Sequence, residues 1–251
     1  MTRSRDVQHV GVLLSGIGGW ECGLLSAGWR LDWSCEQEAG KRALLARHLD
    51  APCYGSVAEV VASAPTLADG LLVIGGQSAQ EMDDPRWQEC LAVVDRTRPR
   101  MLVLETTESV LTPQRPEVFA RVIYDIQTRG YMVTWVVMRL GLDHPMSRWA
   151  RLMVIGWPMG VHIPAALIGL HGRTMAAGNV ALAFASGSGN VYPIDDREGW
   201  ASTWGFPAGW VQEGDDWLQW LRDCSAPLVT ASLATTLLMV GQELTDCQVT
   251  T

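Results

Sequence analysis

The sequence predicts an α/β fold built on a doubly wound sheet, and three observations predict it. Short apolar, β-branched runs alternate with segments of helical spacing, the pattern of strands and crossover helices. The strand-like runs stop at glycine or at acidic residues, the residues that line the ligand-facing carboxyl ends of such sheets. Finally, 48% of the 251 residues are hydrophobic and 18% charged. That is enough apolar material for one large domain, or one domain and a small appendage, and does not read as disorder.

Taken in order, residues 7–14 form a β-branched run that ends at Ser15-Gly16-Ile17-Gly18-Gly19, a strand followed by a tight turn. Residues 20–27 have helical spacing and close at Gly28 as a C-cap. A second strand, 31–35, carries Glu36 at its end, and helices follow over 39–48 and 57–64. The apolar run 71–74 reads as a strand ending at Gly75-Gly76. An amphipathic helix over 87–98 leads to a strand over 101–104 that ends at Glu105. A helix is expected over 116–129, and a pair of strands over 131–139 and 152–155. From 160 to 196 the texture changes to Ala, Gly and Ser with little charge. Residues 200–221 are rich in Trp around a Gly205-Phe206-Pro207 turn, and 227–240 reads as a terminal helix.

Composition narrows the function classes. The six cysteines stand singly with no C-x-x-C pair, which argues against structural zinc and for small buried hydrophobes in a reducing compartment. The formal charge of −8 weighs against autonomous gripping of duplex DNA, which needs a basic face. The twelve tryptophans read as core or interface anchors rather than base-stacking platforms. No apolar run reaches the roughly 18 residues that span a bilayer, so no membrane association is expected. The first residues lack the apolar stretch of a signal peptide, and the expected location is cytoplasmic.

The glycine turn carries the first chemical signal. It follows a strand and opens a helix, so its backbone N–H groups can approach a carboxylate or phosphate. Glu36, at the next strand end, is placed to accept hydrogen bonds from ribose hydroxyls. Alone, these residues fit either a nucleoside-containing cofactor or a merely tight strand-to-helix turn.

Read together and in order, the segments resemble the DNA (cytosine-5) methyltransferase family over residues 10–158 and 197–240. Leu14-Ser15-Gly16-Ile17-Gly18-Gly19-Trp20, then Ala27-Gly28-Trp29 and Cys35-Glu36, are similar to the family's F-S-G-x-G-G-F, A-G-F and acidic residue. LVIGGQSAQ at 72–80 resembles the catalytic loop, normally G-G-x-P-C-Q, and Asp84-Pro85-Arg86 the D-x-R after it. Residues 99–105 look like the strand ending in E-N-V, Gly130-Tyr131 with 147–156 like the strand pair carrying Q-x-R-x-R, and 205–207 with 226–227 like the closing motifs. The resemblance implies a Rossmann-like S-adenosylmethionine-dependent methyltransferase fold. It also implies binding of S-adenosylmethionine or S-adenosylhomocysteine at Ser15, Gly16, Gly18, Gly19, Trp20 and Glu36.

The departures bear on activity. In the family a cysteine thiolate attacks the cytosine ring, and Pro-Cys corresponds here to Ser78-Ala79, followed by Gln80. An alanine methyl group attacks nothing, and a serine alkoxide is far harder to generate than a thiolate. Cys90, on the following helix, is expected in the core. Glu105 matches the glutamate that contacts the base, but Thr106 and Thr107 replace Asn and Val. Ser147, Trp149 and Arg151 align with Q-x-R-x-R, Ser56 stands at the position of an Asp near the adenine, Val12 and Leu14 replace Asp and Phe, and Asp223-Cys224 replaces G-N.

The expected organisation is therefore a methyltransferase-like core over 1–159, a short remnant of the target-recognition region over 160–196, and a segment over 197–251 that completes the core. Between 160 and 196 only Arg173, His162 and His171 offer basic character, too little for base readout or base flipping alone. The degenerate pocket of Ser78, Ala79, Gln80, Glu105 and Arg151 is expected to be catalytically silent. The protein is then a partner or regulatory subunit in a hetero- or homo-oligomer, meeting nucleic acid weakly or through a partner. The alternatives are non-standard acid–base chemistry on cytosine or a nucleotide, with Asp84, Arg86, Glu105 and Arg151 as its groups, and cytosine-5 methylation by an unconventional route.

Overall fold

The computed structural model describes residues 8–77, 85–111, 116–139, 150–162, 164–167, 197–211, 220 and 225–248. Seven strands form one sheet: β1 (His9–Leu13), β2 (Arg30–Cys35), β3 (Cys53–Tyr54), β4 (Leu71–Gln77), β5 (Met101–Thr106), β6 (Tyr131–Arg139) and β7 (Ala150–Pro158). Their order is β3-β2-β1-β4-β5-β7-β6. Pairing is parallel from β3 through β5, and β7 runs antiparallel to both of its neighbours. The order reverses between β1 and β4, the switch point at whose carboxyl ends ligands bind in such sheets.

The helices among the described residues are α1 (Gly19–Ser26), α2 (Ala39–His48), α3 (Val57–Ser63), α4 (Pro85–Thr97), α5 (Pro116–Gln127), α6 (Arg197–Trp204) and α7 (Pro227–Gln248). Three of them, α4, α5 and α7, begin with proline, whose missing N–H is no loss in a first turn. Ser56 caps α3 by accepting from Glu59 N, while the Glu59 carboxylate accepts from Gly55 N, a reciprocal capping arrangement.

The two-residue period of the central strands divides the core. Val10 and Val12 of β1, Leu71 and Val73 of β4, and Met101 and Val103 of β5 face one cluster, with α1, α2, α6 and α7. Leu13, Leu72, Ile74, Leu102 and Leu104 face the other, with α3, α4 and α5. Both faces are covered, which is why these strands read as continuous apolar runs. Tryptophan does much of the filling: Trp20, Trp29, Trp33, Trp87, Trp157, Trp204, Trp210 and Trp220 are all buried, and Trp135 is exposed.

Several element boundaries differ from expectation. β4 runs through Gly75 and Gly76 to Gln77 rather than stopping at Ile74, and β5 carries Glu105 and Thr106 inside the strand. β7 spans Ala150–Pro158, and α7 continues past Gly241 to Gln248. β3, the short 3-10 turn Glu108–Leu111 and the start of α6 at Arg197 were not expected. Gly28 is the left-handed residue just beyond α1, whose cap is Ala27. No helix of the described residues is long and apolar enough to cross a membrane.

Candidate functional site

The parallel strands β1, β2, β4 and β5 end along one edge, and the residues singled out by sequence gather there. β1 leads through Leu14, which adopts a left-handed φ of 57°, into the glycine turn. Gly16 and Gly18 also have positive φ, 58° and 89°, conformations that glycine adopts without strain. Nothing lies within 4 Å of where a Cβ on Gly16 would sit, so the turn presents open space on that side. Gly19 answers a different need. A Cβ there would fall 1.8 Å from the Ser225 carbonyl oxygen, so its bareness serves the close packing of α1 on the segment leading into α7.

The turn is tied down from three directions. Ser15 N donates to the Cys35 carbonyl at 3.0 Å, and Gly18 N returns to the Ser15 carbonyl at 3.0 Å. Gly16 N donates to Glu36 Oε2 at 2.8 Å, while Glu36 Oε1 accepts from Glu38 N at 2.8 Å. Trp210, stacked on His48 with ring centroids 4.2 Å apart, donates its indole N–H to the Ile17 carbonyl at 2.7 Å. Glu36 therefore shapes the turn, with lone pairs left on each oxygen for further donors. The N-cap of α1, Gly18, has no side-chain capping bond, which leaves first-turn N–H groups for an acceptor outside the helix.

Glu105 forms the second half of the site. It is fully buried, on the side of β5 that faces α1 and α7. Trp20 Nε1 donates to its Oε2 at 2.5 Å, and the Ser225 hydroxyl donates to the same oxygen. Arg151 Nε, on β7, lies 3.2 Å from Oε1, within ion-pair range but off the line of a hydrogen bond. A buried carboxylate without such company would be costly, so this constellation is what lets Glu105 stay in the core. Gly75 brings the halves together: a Cβ there would lie 2.6 Å from the Leu14 carbonyl, so β4 and the end of β1 approach closely.

Of the expected site residues, the structure brings Ser15, Gly16, Gly18, Gly19, Trp20 and Glu36 to the turn, and Glu105 and Arg151 to the adjoining strand ends. Ser78, Ala79 and Gln80 lie outside the described residues, as do Asp84, Ser147, Trp149, Arg173, His171 and Asp223-Cys224. The chain leaves β4 at Gln77, opposite Thr106 of β5. Ser56 is occupied as the cap of α3. Cys90 is buried in the second core cluster, and Cys22, Cys35, Cys53 and Cys90 form no disulfide. Among the described residues no group of three or more His, Cys, Asp or Glu is placed to hold a metal ion.

Three residues of the site escaped the sequence: Trp210, Ser225 and Glu21. Glu21 is fully buried in the first turn of α1, and burial pushes its carboxyl up to about 7, with the Ser15 hydroxyl acting the other way. The only signal for it was a charged residue inside an otherwise apolar helix. Trp210 and Ser225 act across long separations that no local pattern reveals.

Comparison with solved structures places the fold. The chain is similar to a prophage-encoded DNA modification methyltransferase of E. coli, with a TM-score of 0.65 and 13% identity, over 92% of this chain and 98% of that one. It is similar to the S. pombe Dnmt2 methyltransferase, with a TM-score of 0.59 and 13% identity, over 93% and 98%. The Entamoeba histolytica methyltransferase EhMeth matches with a TM-score of 0.58 and 12% identity, over 92% and 98%. No protein-family model and no curated protein sequence matches this chain. The chain shares the Rossmann-like fold of these methyltransferases.

Proposed function

We propose that this protein keeps the ligand-binding turn of a DNA cytosine-5 methyltransferase, has given up its catalysis, and works as a partner or regulatory subunit of a nucleic-acid-modifying enzyme. The observation that carries the reading is the closure of Glu105, taken with Ala79 at the position of the nucleophile. Both Glu105 oxygens face protein groups, Trp20 and Ser225 on one and Arg151 on the other. A base reaching Oε2 would have to displace Trp20 and Ser225, leaving buried donors unpaired at a cost of about 1–3 kcal/mol each, while Oε1 accepts no hydrogen bond and faces the Arg151 charge.

The turn fits S-adenosylmethionine or S-adenosylhomocysteine. Gly16 opens onto free space, the Ser15 hydroxyl is buried without a hydrogen-bond partner, and the first turn of α1 has no side-chain cap. Ser15, Gly16 and Gly18 would hold the ligand's amino-acid end and Glu36 its ribose. Trp20, buried and bonded to Glu105, would act from behind the turn, and Gly19 through the packing of α1. S-adenosylmethionine supplies a transferable methyl group when bound. In this chain the groups that would direct such a transfer onto cytosine are Ala79, which has no reactive atom, and Glu105, whose Oε2 is held by Trp20 and Ser225.

Two experiments test the reading. Affinity capture of the full chain from its native host, followed by size-exclusion chromatography, is expected to return a stable complex with another protein; monomer alone counts against it. Mass spectrometry of nucleosides after co-expression separates it from non-standard chemistry. An unchanged profile is expected, and a new modified pyrimidine, lost in Glu105→Gln, would establish the alternative.

A further inference from the structure

Beneath the glycine turn four buried oxygens have no hydrogen-bond partner: both carboxylate oxygens of Glu21 and the hydroxyls of Ser15 and Ser34. They belong to one neighbourhood. A Cβ on Gly18 would lie 3.8 Å from Glu21 Oε2, and the Ser15 hydroxyl acts on the Glu21 carboxyl. Ser34 pairs with Cys53 across β2 and β3, and both Ser34 and Glu21 act on the Cys53 thiol. Buried polar atoms are nearly always satisfied, so these four oxygens are the groups beneath the turn most ready to take a new partner.

The protonation state of Glu21 decides who uses the local donors. As a carboxylate it attracts the nearby Ser15 hydroxyl and its own backbone N–H, which favour the charged form although neither is hydrogen-bonded to it. That N–H belongs to the first turn of α1, whose donors an incoming acceptor needs. As a neutral carboxyl, Glu21 releases these donors and gains an O–H of its own to offer a serine. The other ionisable groups around it are the Glu36 carboxylate at the end of β2, Cys35 beside it and Cys53 on β3. On α2, Arg42 donates to the carbonyls of Glu36 and Gln37, and His48 lies behind the Trp210 ring. Glu36 adds negative charge and opposes ionisation of Glu21.

We propose that Glu21, Ser15 and Ser34 form a proton-linked brace under the glycine turn, so that protonation of Glu21 and ligand uptake at the turn favour each other. The ligand half rests on the reading of the turn as a binding site. With the Glu21 midpoint near 7, the competent fraction falls about tenfold between pH 6 and pH 8, and the apparent affinity falls with it.

Calorimetric titration of the full chain with S-adenosylhomocysteine at pH 6, 7 and 8 tests this. About tenfold weakening across the range is expected in the wild type, and a flat profile in Glu21→Gln. Equal pH dependence in both proteins, or none in the wild type, overturns the coupling. Absence of binding at every pH overturns the reading of the turn instead. The brace is then judged by urea midpoints, expected to fall from pH 5 to pH 7.5 in the wild type and to stay level in Glu21→Gln; parallel curves overturn it. Should Glu21→Gln fail to fold, Ser15→Ala serves. Removing a hydroxyl that favours the charged form moves the fall to higher pH, and an unmoved curve overturns the brace.

Discussion

Replacing Trp20 by Phe asks whether Glu105 is a structural node. Trp20 is 1% exposed and gives its indole N–H to a carboxylate that is fully buried. Losing a hydrogen bond to a charged acceptor costs about 2 kcal/mol, and the smaller ring leaves a gap worth about 1 more. Trp20→Phe should therefore lower the unfolding free energy by about 3 kcal/mol. Glu105→Gln should cost a comparable amount, because the Arg151 guanidinium, 16% exposed, loses its counter-charge. The informative quantity is the coupling. If Trp20 acts through the Glu105 carboxylate, the double variant loses about 1–2 kcal/mol less than the sum of the single variants. Urea unfolding of the four proteins, with equal m-values, measures it. Additivity within about 0.5 kcal/mol would refute the node and return Glu105 to the pool of groups free to meet a base.

Other perturbations separate the roles of neighbouring residues. Gly19→Ala sets a methyl group against the Ser225 carbonyl and should cost about 3 kcal/mol, whereas Gly16→Ala meets open space and pays only about 1 kcal/mol for its φ of 58°. Thermal denaturation of the pair checks this, and equal losses would show that Gly19 is not a packing glycine. Arg100 donates to the Leu244 carbonyl and to Thr245 near the end of α7, so Arg100→Met should cost about 2 kcal/mol and raise amide exchange in that last turn. The Glu21 carboxyl, raised in the folded state from 4.5 to about 7, holds a proton there that the unfolded chain has released. The penalty is absent below 4.5 and complete above 7, so stability falls with rising pH across that window, by about 3 kcal/mol. Denaturant titrations at pH 5 and 7.5 read the change; a stability that rises over this interval would reverse the assignment.

What the sequence disclosed was what is local. The glycine turn, the strand runs and helices such as Ala39–His48 follow from periods of two and 3.6 and from glycine punctuation within a few residues. Where glycine answers to a distant neighbour, the same rules mislead. Gly75 was read as a stop, yet the strand continues because the Leu14 carbonyl needs its missing side chain. The last helix was read as ending at 240, yet α7 runs on through Gly241, where Gln8 and Met101 leave no room for a Cβ. The pairing of Glu105 with Ser225 and of Trp210 with Ile17 spans 120 and 193 residues and leaves no periodic trace. The resemblance to a family supplied the position of Glu105 and Arg151, but only coordinates could show their mutual engagement.

On the proposed function, the site holds a ligand but transfers no methyl group. Incubation of the purified full chain with tritiated S-adenosylmethionine and cytosine-rich DNA tests it most directly. No label is expected in DNA at any pH from 6 to 8. Label in 5-methylcytosine, absent when Glu105→Gln is assayed in parallel, would contradict it.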